Sequence, residues 1–466
     1  MKKRVKQIGG LALAVTIATA AFVAPPANST STGIAEAHDN KQGKVAKNVI
    51  LMIGDGMGQN HVAAAAYYKG DGFGAATLTM NQFKHVGFAR TFSHDNVVTD
   101  SAAAATAFSS SHKTDNNVLG KAPKNEEHQE GEDHFDVETV LEQAEARGKA
   151  TGLVSTARIT HATPAAFAAH VDHRDQENEI AEQMLLQHDI EVLLGGGKRH
   201  FLPKEAGGKR TDGKDLMKEA KGKGYTVAED LASLDKAKGK KLLGLFNDSH
   251  MTYELDRELT KEPSLSEMTE KALDVVGKEK KGFFLMVEGG RIDHAGHANF
   301  PASDIQETLA FDDAIKVAKQ YAAKHKDTLV IVTADHETGG LSLGANGTYG
   351  FNKDVLRNVK RSAEYMGKQV NKEKSNIQEV MKTYAGIKDL KQSELEKIQK
   401  AKSPETGIAQ VISDRALIGW TTTGHTAVDV PVYAFGPQAE KLTGTIDNTL
   451  IADVITEAIK AGKKHK

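Results

Sequence analysis

The sequence predicts an α/β protein with a mostly parallel central sheet that helices cover on both faces. Short apolar runs alternate along the chain with segments of helical periodicity. Well over a dozen residues separate successive runs, which is the spacing that parallel strands need for their crossover connections. In such folds, ligands gather at the carboxyl ends of the strands. Five runs are interpreted as buried strands: 48–53, 151–154, 190–194, 283–287 and 329–332.

The first strand and the alanine-rich helix after Ser101 each place a polar residue at their boundary. Asp55 follows the strand over 48–53 with glycines on both sides, so a ligand or metal can approach the backbone closely. Ser101 precedes the helix formers at 102–107, where free N–H groups and the positive helix dipole favour an oxyanion. The alternatives are a plain Gly-Asp-Gly turn and an N-cap role alone for Asp100 or Ser101.

The middle of the chain alternates between helical patterns and insertions. Residues 121–135 are highly charged and are expected to form a solvated loop without a site. A helix is predicted over 136–147. Residues 198–241 are rich in lysine and glycine and are expected to be a loosely packed insertion. Two capping boxes, Ser264 with Glu267 and Ser303 with Gln306, predict helices over 265–276 and 304–325.

The stretch over 283–300 carries the densest group of chemically active side chains. Glu288 ends the strand over 283–287, and two glycines then let the backbone turn sharply. Asp293 and His297, four residues apart, are expected to face a single cation. The alternative is a polar surface loop.

The last third of the chain repeats this arrangement of polar residues beside strands. Asp335 and His336 follow the strand over 329–332, and His425 precedes another apolar run at 432–435. Residues 345–410 interrupt the alternation with a lysine-rich, partly helical segment that is interpreted as a cap or interface. A closing helix is predicted over 449–459.

Charge and cysteine content exclude several classes of protein. The chain of 466 residues carries 60 Lys+Arg and 62 Asp+Glu, a net charge of −2, which offers nothing to nucleic acid. It has no cysteine, so disulfides and thiolate zinc fingers are excluded and any metal ligands are oxygen and nitrogen.

Residues 1–37 predict an export signal. They combine a basic start, an apolar stretch too short to span a bilayer, and a cleavage pattern at Ala35-x-Ala37. The mature protein is therefore expected to be secreted, either extracellular or associated with the cell wall. Residues 38–466 would form a single catalytic domain.

The candidate ligands are sufficient for more than one cation. Imidazole and carboxylate without thiolate suit zinc, whereas carboxylate, hydroxyl and water suit magnesium. Five segments resemble the signature segments of the alkaline phosphatases in the right order: 54–58, 99–102, 288–294, 333–340 and 423–425.

This resemblance to the alkaline phosphatases implies the site residues and their roles. It implies two zinc ions and one magnesium ion per subunit. One zinc would be bound by Asp293, His297 and His425, and the second by Asp55, Asp335 and His336. Magnesium would be held by Asp55, Thr163 and Glu288. Ser101 matches the nucleophile, and Arg174 matches the arginine that binds the phosphate. His161 and His294 stand where some bacterial members have Asp and Lys, which weakens the expectation of magnesium.

The resulting hypothesis is a secreted, metal-dependent phosphomonoesterase. It would hydrolyse a broad range of phosphate monoesters through a phosphoserine intermediate. A homodimer is kept as an alternative to a monomer. The enzymatic alternatives are a phosphodiesterase or a phosphomutase on the same metal scaffold. A sulfatase is disfavoured because alanines follow Ser101. A secreted phosphate-binding or zinc-binding protein is also disfavoured, since a binder needs no hydroxyl nucleophile.

Overall fold

A ten-stranded sheet forms the centre of the protein. The computed structural model describes residues 45–125 and 133–460, so the predicted export signal lies outside the described residues. These residues belong to one compact unit that runs from Gly43 to Lys466. The strands of the described residues, which include those of the central sheet and those of three two-stranded pairs, are β1 (Asn48–Gly54), β2 (His85–Arg90), β3 (Lys121–Pro123), β4 (His134–Asp136), β5 (Ala150–Arg158), β6 (Val192–Gly196), β7 (Tyr225–Ala228), β8 (Lys241–Leu245), β9 (Phe283–Gly289), β10 (Thr328–Thr333), β11 (Glu337–Thr338), β12 (Ser342–Leu343), β13 (Ile418–Gly419), β14 (His425–Thr426), β15 (Val430–Phe435) and β16 (Gly444–Asp447).

The strands of the central sheet are arranged in the order β16-β2-β15-β10-β1-β9-β5-β6-β8-β7. Only β15 runs against the others, since it pairs antiparallel with both β10 and β2 while the remaining pairs are parallel. Every residue of β1, β9 and β10 is buried, as expected for strands covered on both faces. The predicted α/β fold with a mostly parallel sheet is confirmed.

Helices flank this sheet and connect its strands. They are α1 (Gln59–Lys69), α2 (Ser101–Ser110), α3 (Val140–Glu145), α4 (Ala162–Ala165), α5 (Glu177–Glu182), α6 (Leu216–Gly222), α7 (Leu231–Lys236), α8 (Leu265–Val276), α9 (Arg291–His297), α10 (Pro301–Lys324), α11 (Lys353–Arg357), α12 (Ala363–Gln369), α13 (Ile377–Tyr384), α14 (Gln392–Lys400), α15 (Pro404–Ala416) and α16 (Thr449–Lys460). Within the described residues, no helix combines the length and apolar character that a membrane span requires.

The structure corrects several local predictions. The insertion over 198–241 is not loosely packed throughout, because β7 and β8 complete one side of the sheet. The charged segment 121–135 contributes the hairpin strands β3 and β4. Helix α3 starts at Val140 behind a capping box of Thr139 and Glu142, later than the predicted 136.

The two predicted capping boxes have different outcomes. Ser264 and Glu267 form one, and α8 begins after it as predicted. Ser303 and Gln306 do not, because α10 already begins at Pro301 and Ser303 lies inside its first turn. Proline is favoured at the first helical position since its missing N–H has no partner there in any case.

The segment over 345–410 lies outside the central sheet and contributes to a second hydrophobic core. Helices α11 to α15 bury residues such as Met366, Ile377, Met381, Ile398 and Ile412 in a cluster that also includes Ala64 of α1, Ala295 of α9 and Ile305 of α10. This cluster is separate from the core that packs on the sheet. The partly helical character predicted for this segment is observed.

Candidate metal centre

Three groups of metal-ligating side chains meet at the carboxyl edge of the sheet. Strand register explains their convergence, because Ile53 of β1 lies opposite both Glu288 of β9 and Thr333 of β10. The polar residues that end these neighbouring strands therefore emerge side by side. Within each group the ligand atoms lie within 4.8 Å of one another; the groups are Asp293, His297 and His425; Asp55, Asp335 and His336; and Asp55, His161 and Glu288.

The first group contains two imidazole nitrogens that face each other. His297 Nδ1 donates to Thr423 O at 2.6 Å, and His425 Nδ1 donates to Thr99 O at 2.8 Å. A carbonyl can only accept, so each neutral ring keeps its lone pair on Nε2. These Nε2 atoms are 3.1 Å apart and lie 3.3 and 3.5 Å from Asp293 Oδ1. Three lone pairs converging in this way fit a tetrahedral cation such as zinc.

The second group is fully buried and adjoins Ser101. His336 Nε2 lies 3.2 Å from Asp335 Oδ2 and 3.6 Å from Asp55 Oδ1. Both oxygens of Asp55 and Asp335 Oδ2 find no hydrogen-bond partner among the described residues. Buried carboxylate oxygens without partners are costly, and a bound cation would satisfy them.

Thr338 connects the first two groups. Its hydroxyl donates to Asp293 Oδ1 at 2.6 Å and lies 3.2 Å from His336 Nδ1. Since the hydroxyl proton goes to the carboxylate, the hydroxyl oxygen accepts from Nδ1–H of His336. This leaves the His336 Nε2 lone pair facing Asp55 and Asp335, which is the orientation that a metal ligand requires.

The third group combines carboxylates, a hydroxyl and an imidazole. Glu288 Oε2 accepts from Ser155 Oγ at 2.5 Å, while Glu288 Oε1 and Thr163 Oγ1 are buried without a partner in the described chain. Helix α4 presents Thr163, and His161 is its N-cap residue. His161 Nδ1 is likewise buried and unpartnered within the described parts of the chain. Oxygen donors suit magnesium, but an imidazole in the same group shifts the preference toward zinc.

Burial and mutual repulsion shift the acidities of these carboxylates. Burial, followed by the charges of Asp335 and Asp293, raises the pKa of Asp55 well above its usual value. Burial also raises the pKa of Glu288 to about 7. For Asp293, burial would raise the pKa, but the neighbouring imidazoles of His425 and His297 outweigh it and hold the pKa well below the usual value. A cluster of this kind binds cations in exchange for protons.

Ser101 and Arg174 lie beside the metal-ligating groups. Ser101 is the first residue of α2, and its Oγ lies 3.1 Å from His336 Nε2. Asp100 is the N-cap residue of this helix, since its side chain accepts from Ala103 N. The same carboxylate accepts from Arg174 Nη1 at 2.8 Å, so the helix cap also holds the guanidinium beside the serine. Free N–H groups of the first turn and a guanidinium fork can together bind an oxyanion.

A cluster of histidines lines the outer side of the third group. The ring centroids of His161, His250 and His294 lie within 5.7 Å of one another, and those of His250 and His294 are 4.1 Å apart. Burial lowers the pKa of His294 to about 3, and burial with the charge of Arg174 lowers that of His161 well below its usual value. Both shifts favour the neutral form of these two rings. Arg174 Nη2 donates to His161 Nε2 at 3.1 Å.

The structure brings all of the sequence-predicted site residues to this edge, and it adds several that sequence reasoning missed. Ser155 could have been found, since it lies near the carboxyl end of a predicted strand. Thr338 lies within one of the signature segments, but nothing in the sequence shows where its hydroxyl points. His250 has no sequence signal, because it occupies a loop without a motif.

The glycines after Glu288 have a different role from the one predicted. Gly290 has a right-handed helical conformation with φ −73° and ψ −9°, so no unusual backbone angle is needed there. A Cβ atom at Gly290 would instead lie 2.7 Å from the Ala157 Cβ and 3.1 Å from the Glu288 carboxyl carbon. The glycine therefore allows close approach of β5 and the third group. Gly56 does require a left-handed conformation, with φ +72°.

Comparison with known proteins identifies a matching family. The family model for alkaline phosphatase matches residues 46–461. Alkaline phosphatase 3 of Bacillus subtilis (strain 168) is 39% identical, over 99% of this chain and 98% of that protein. The crystal structure of Thermus thermophilus alkaline phosphatase superposes with a TM-score of 0.80 at 32% identity, covering 89% of this chain and 92% of that one.

A third similar protein is a variant of the TAB5 alkaline phosphatase in which one histidine is replaced by aspartate, with Mg bound in the M3 site. It has a TM-score of 0.66 at 32% identity and covers 90% of this chain and 99% of that one.

Proposed function

The chain belongs to the alkaline phosphatase family and is a phosphomonoester hydrolase, and from this premise we propose that it acts through a phosphoserine formed on Ser101. The observation that carries the proposal is the position of the Ser101 hydroxyl. It lies at the amino end of α2, 3.1 Å from His336 Nε2 and beside Arg174. A hydroxyl in this position can be activated as a nucleophile, whereas a helix cap alone needs no cation-binding groups around it.

The family is metal-dependent, and the side chains of this chain fit two zinc ions and a third cation. Asp293, His297 and His425 would hold one zinc. Asp55, Asp335 and His336 would hold the second. When bound, such cations stabilise an alkoxide at the attacking and leaving oxygens and lower the pKa of water.

In the first half-reaction, the Ser101 oxygen attacks the phosphorus of the monoester. The new oxygen–phosphorus bond forms as the bond to the alcohol oxygen breaks, and the alcohol leaves carrying the proton that the serine gave up. The free N–H groups of the first turn of α2 would face the phosphoryl oxygens and offset their charge without rearrangement.

Arg174 orients the phosphoryl group for this transfer. Its guanidinium is held by Asp100 at 2.8 Å and contacts His161 at 3.1 Å, so its fork is fixed before the substrate arrives. A planar fork matches two phosphoryl oxygens at once. Because this contact involves the phosphate and not the alcohol, a broad range of monoesters is expected.

In the second half-reaction, water attacks the phosphoserine on the side from which the alcohol departed. The bond between phosphorus and the serine oxygen breaks, inorganic phosphate is released, and Ser101 regains its proton. A phosphodiester substrate would place a second organic group against the Arg174 fork, which supports monoesters over diesters.

The third cation site is proposed at Asp55, Thr163 and Glu288, with His161 and His294 beside it. The TAB5 variant with aspartate in place of a histidine has Mg in its M3 site. If His161 holds the corresponding place, the neutral imidazole makes this site weaker for magnesium than a carboxylate would.

Trapping of the intermediate tests the proposal. Acid quenching of enzyme mixed with labelled phosphomonoester should leave phosphate on the parent protein, and Ser101→Ala should carry none while keeping normal zinc content. Phosphate found on another residue of the parent would contradict the assignment. Parallel assays with a monoester and a bis-ester distinguish a phosphomonoesterase from a phosphodiesterase on the same scaffold.

We also propose that the protein is exported and that residues 38–466 form one catalytic domain, with 345–410 as a cap. Support for export comes from the basic and apolar start and the Ala35-x-Ala37 pattern. Intact-mass analysis of secreted material should show His38 as the first residue, and a retained Met1 would contradict cleavage. Light scattering of the purified protein tests the homodimer.

A further inference from the structure

A second buried charged cluster lies behind the metal centre. His61 in α1 has no exposed surface, and its Nδ1 lies 2.7 Å from Asp304 Oδ2 while its Nε2 lies 3.1 Å from Glu337 Oε1. Carboxylates accept hydrogen bonds, so both ring nitrogens donate and the ring is an imidazolium. Burial alone would lower the pKa of His61, but the two carboxylates outweigh it and raise the pKa to about 10.

Glu337 is the centre of this cluster. Its Oε2 accepts from Gly340 N at 3.2 Å and from the hydroxyl of Thr426, and its Oε1 accepts from Leu341 N at 3.1 Å. Glu337 and Thr426 also lie directly opposite each other in the antiparallel pair of β11 and β14. Glu337 follows His336 in the chain and Thr426 follows His425, so a single carboxylate joins the segments that carry a ligand from each zinc group.

The other two members extend the connection to the remaining ligand-bearing segments. His61 belongs to the helix that follows the Asp55 loop, and Asp304 belongs to α10, which follows the α9 helix of Asp293 and His297. We call these three charged side chains the Asp304–His61–Glu337 triad. The triad therefore links the four chain segments that carry the proposed zinc ligands. None of the three belongs to a metal-ligating group of the described residues.

The local sequence is adapted to this triad. A Cβ atom at Gly58 would lie 2.2 Å from Glu337 Cγ, so only glycine lets the Asp55 loop approach the carboxylate. Trp420 packs edge-on against His61, with 6.4 Å between ring centroids. The triad is thus enclosed, and its charges are paired with one another and not with solvent.

We propose that the Asp304–His61–Glu337 triad is a positioning unit that holds β11 against β14, so that His336 and His425 are placed for zinc before it binds. A ladder of two residues per strand has little stability of its own. Without cations, the neighbouring carboxylates repel one another and favour opening of the site. Hydrogen-bond partners that hold the ligand-bearing segments in place reduce the rearrangement that zinc binding requires, as in metal sites generally. The inference rests on the zinc assignments proposed above.

The primary test is the variant His61→Gln. Glutamine can donate to one carboxylate but carries no charge, so it cannot hold Asp304 and Glu337 together. The zinc affinity of the two groups that would each hold one zinc should fall by about 10-fold to 100-fold. Competition with a chromogenic chelator measures the affinity. Fluorescence of Trp420, the only tryptophan of the chain, reports binding independently of activity.

Unfolding temperatures separate positioning from a merely structural role. Loss of general stability would lower the unfolding temperatures of the metal-free and zinc-loaded proteins equally. A positioning role predicts that the increase in unfolding temperature caused by zinc is smaller in His61→Gln than in the parent. His188→Gln is the matched control, because His188 also pairs with a carboxylate, Glu145, at 3.1 Å but precedes β6 at the opposite edge of the sheet.

Charge compensation provides a further check. Asp304→Asn combined with His61→Gln restores the net charge of the triad and should recover part of the zinc affinity. If His61→Gln does not fold, Asp304→Asn alone is measured in the same way and should weaken zinc binding. Parental zinc affinity and an unchanged zinc-induced temperature increase in the variants would overturn the inference. A parent protein that binds no zinc would instead overturn the metal assignments themselves.

Discussion

Thr338→Val removes one hydroxyl between the two groups proposed to bind zinc and leaves the shape of the side chain nearly unchanged. In the parent, the Thr338 hydroxyl donates to Asp293 Oδ1 at 2.6 Å and accepts from His336 Nδ1 at 3.2 Å. The side chain has no exposed surface, so water cannot take its place. Valine therefore leaves the Nδ1–H of His336 and one oxygen of Asp293 without this partner.

The size of the effect follows from the two hydrogen bonds. A hydrogen bond to a charged group contributes about 1.5–3 kcal/mol, and a neutral one about 0.5–1.5 kcal/mol. Part of this loss also lowers the stability of the metal-free protein, so we expect the free energy of zinc binding to become less favourable by about 2–3 kcal/mol. At about 1.4 kcal/mol per factor of ten, this corresponds to an affinity roughly 30-fold to 150-fold lower. Outer-sphere partners of metal ligands have effects in this range.

Competition between the protein and a chromogenic chelator for zinc gives the affinity directly. Thr338→Ser retains the hydroxyl and should lie close to the parent. Thr151→Val is the control, since Thr151 is equally buried but its hydroxyl has no partner among the described residues, and it lies at the amino end of β5. Equal zinc affinity of Thr338→Val and the parent would refute the assignment of Thr338 as the link between the two groups.

Three further predictions concern the third site, the metals together and the pH dependence of stability. His161→Asp should lower the magnesium concentration that half-activates zinc-loaded enzyme by about tenfold or more, because a carboxylate holds the waters of a hard cation better than an imidazole does. If both proteins are half-activated at the same magnesium concentration, His161 does not control this site. Treatment with EDTA should abolish activity and lower the unfolding temperature, and zinc with magnesium should restore both, whereas full activity in metal-free protein would end the metal proposal. Glu307 is buried, and burial raises its pKa to about 8. The folded state therefore keeps a proton that the unfolded state loses near pH 4.5, so this group makes stability fall as pH rises between about 4.5 and 8. Glu307→Gln cannot lose that proton, so its unfolding temperature relative to the parent should increase from pH 5 to pH 8.5; a difference that stays constant with pH would contradict this.

The sequence by itself determined the fold class, and it predicted which side chains would gather at the carboxyl edge of the sheet. Each of the five apolar runs predicted as buried strands became a strand, and Asp55, Glu288 and Asp335 follow three of these runs within three residues. That arrangement is local, so it can be read from consecutive residues. The local predictions that failed had weaker signals, as at 198–241, or a competing one, as where Pro301 rather than Ser303 sets the start of α10.

Only the tertiary structure decided how these side chains are oriented and what holds them. The tautomers of His297 and His425 depend on carbonyl groups more than a hundred residues away, with separations of 126 and 326 residues. His61 meets Glu337 across 276 residues, and Thr338 reaches Asp293 across 45. Hydrogen bonds of this kind are directional and depend on positions to a fraction of an ångström. Strand patterns specify which edge of the sheet a residue reaches, but only packing of the whole domain fixes which atoms face each other there.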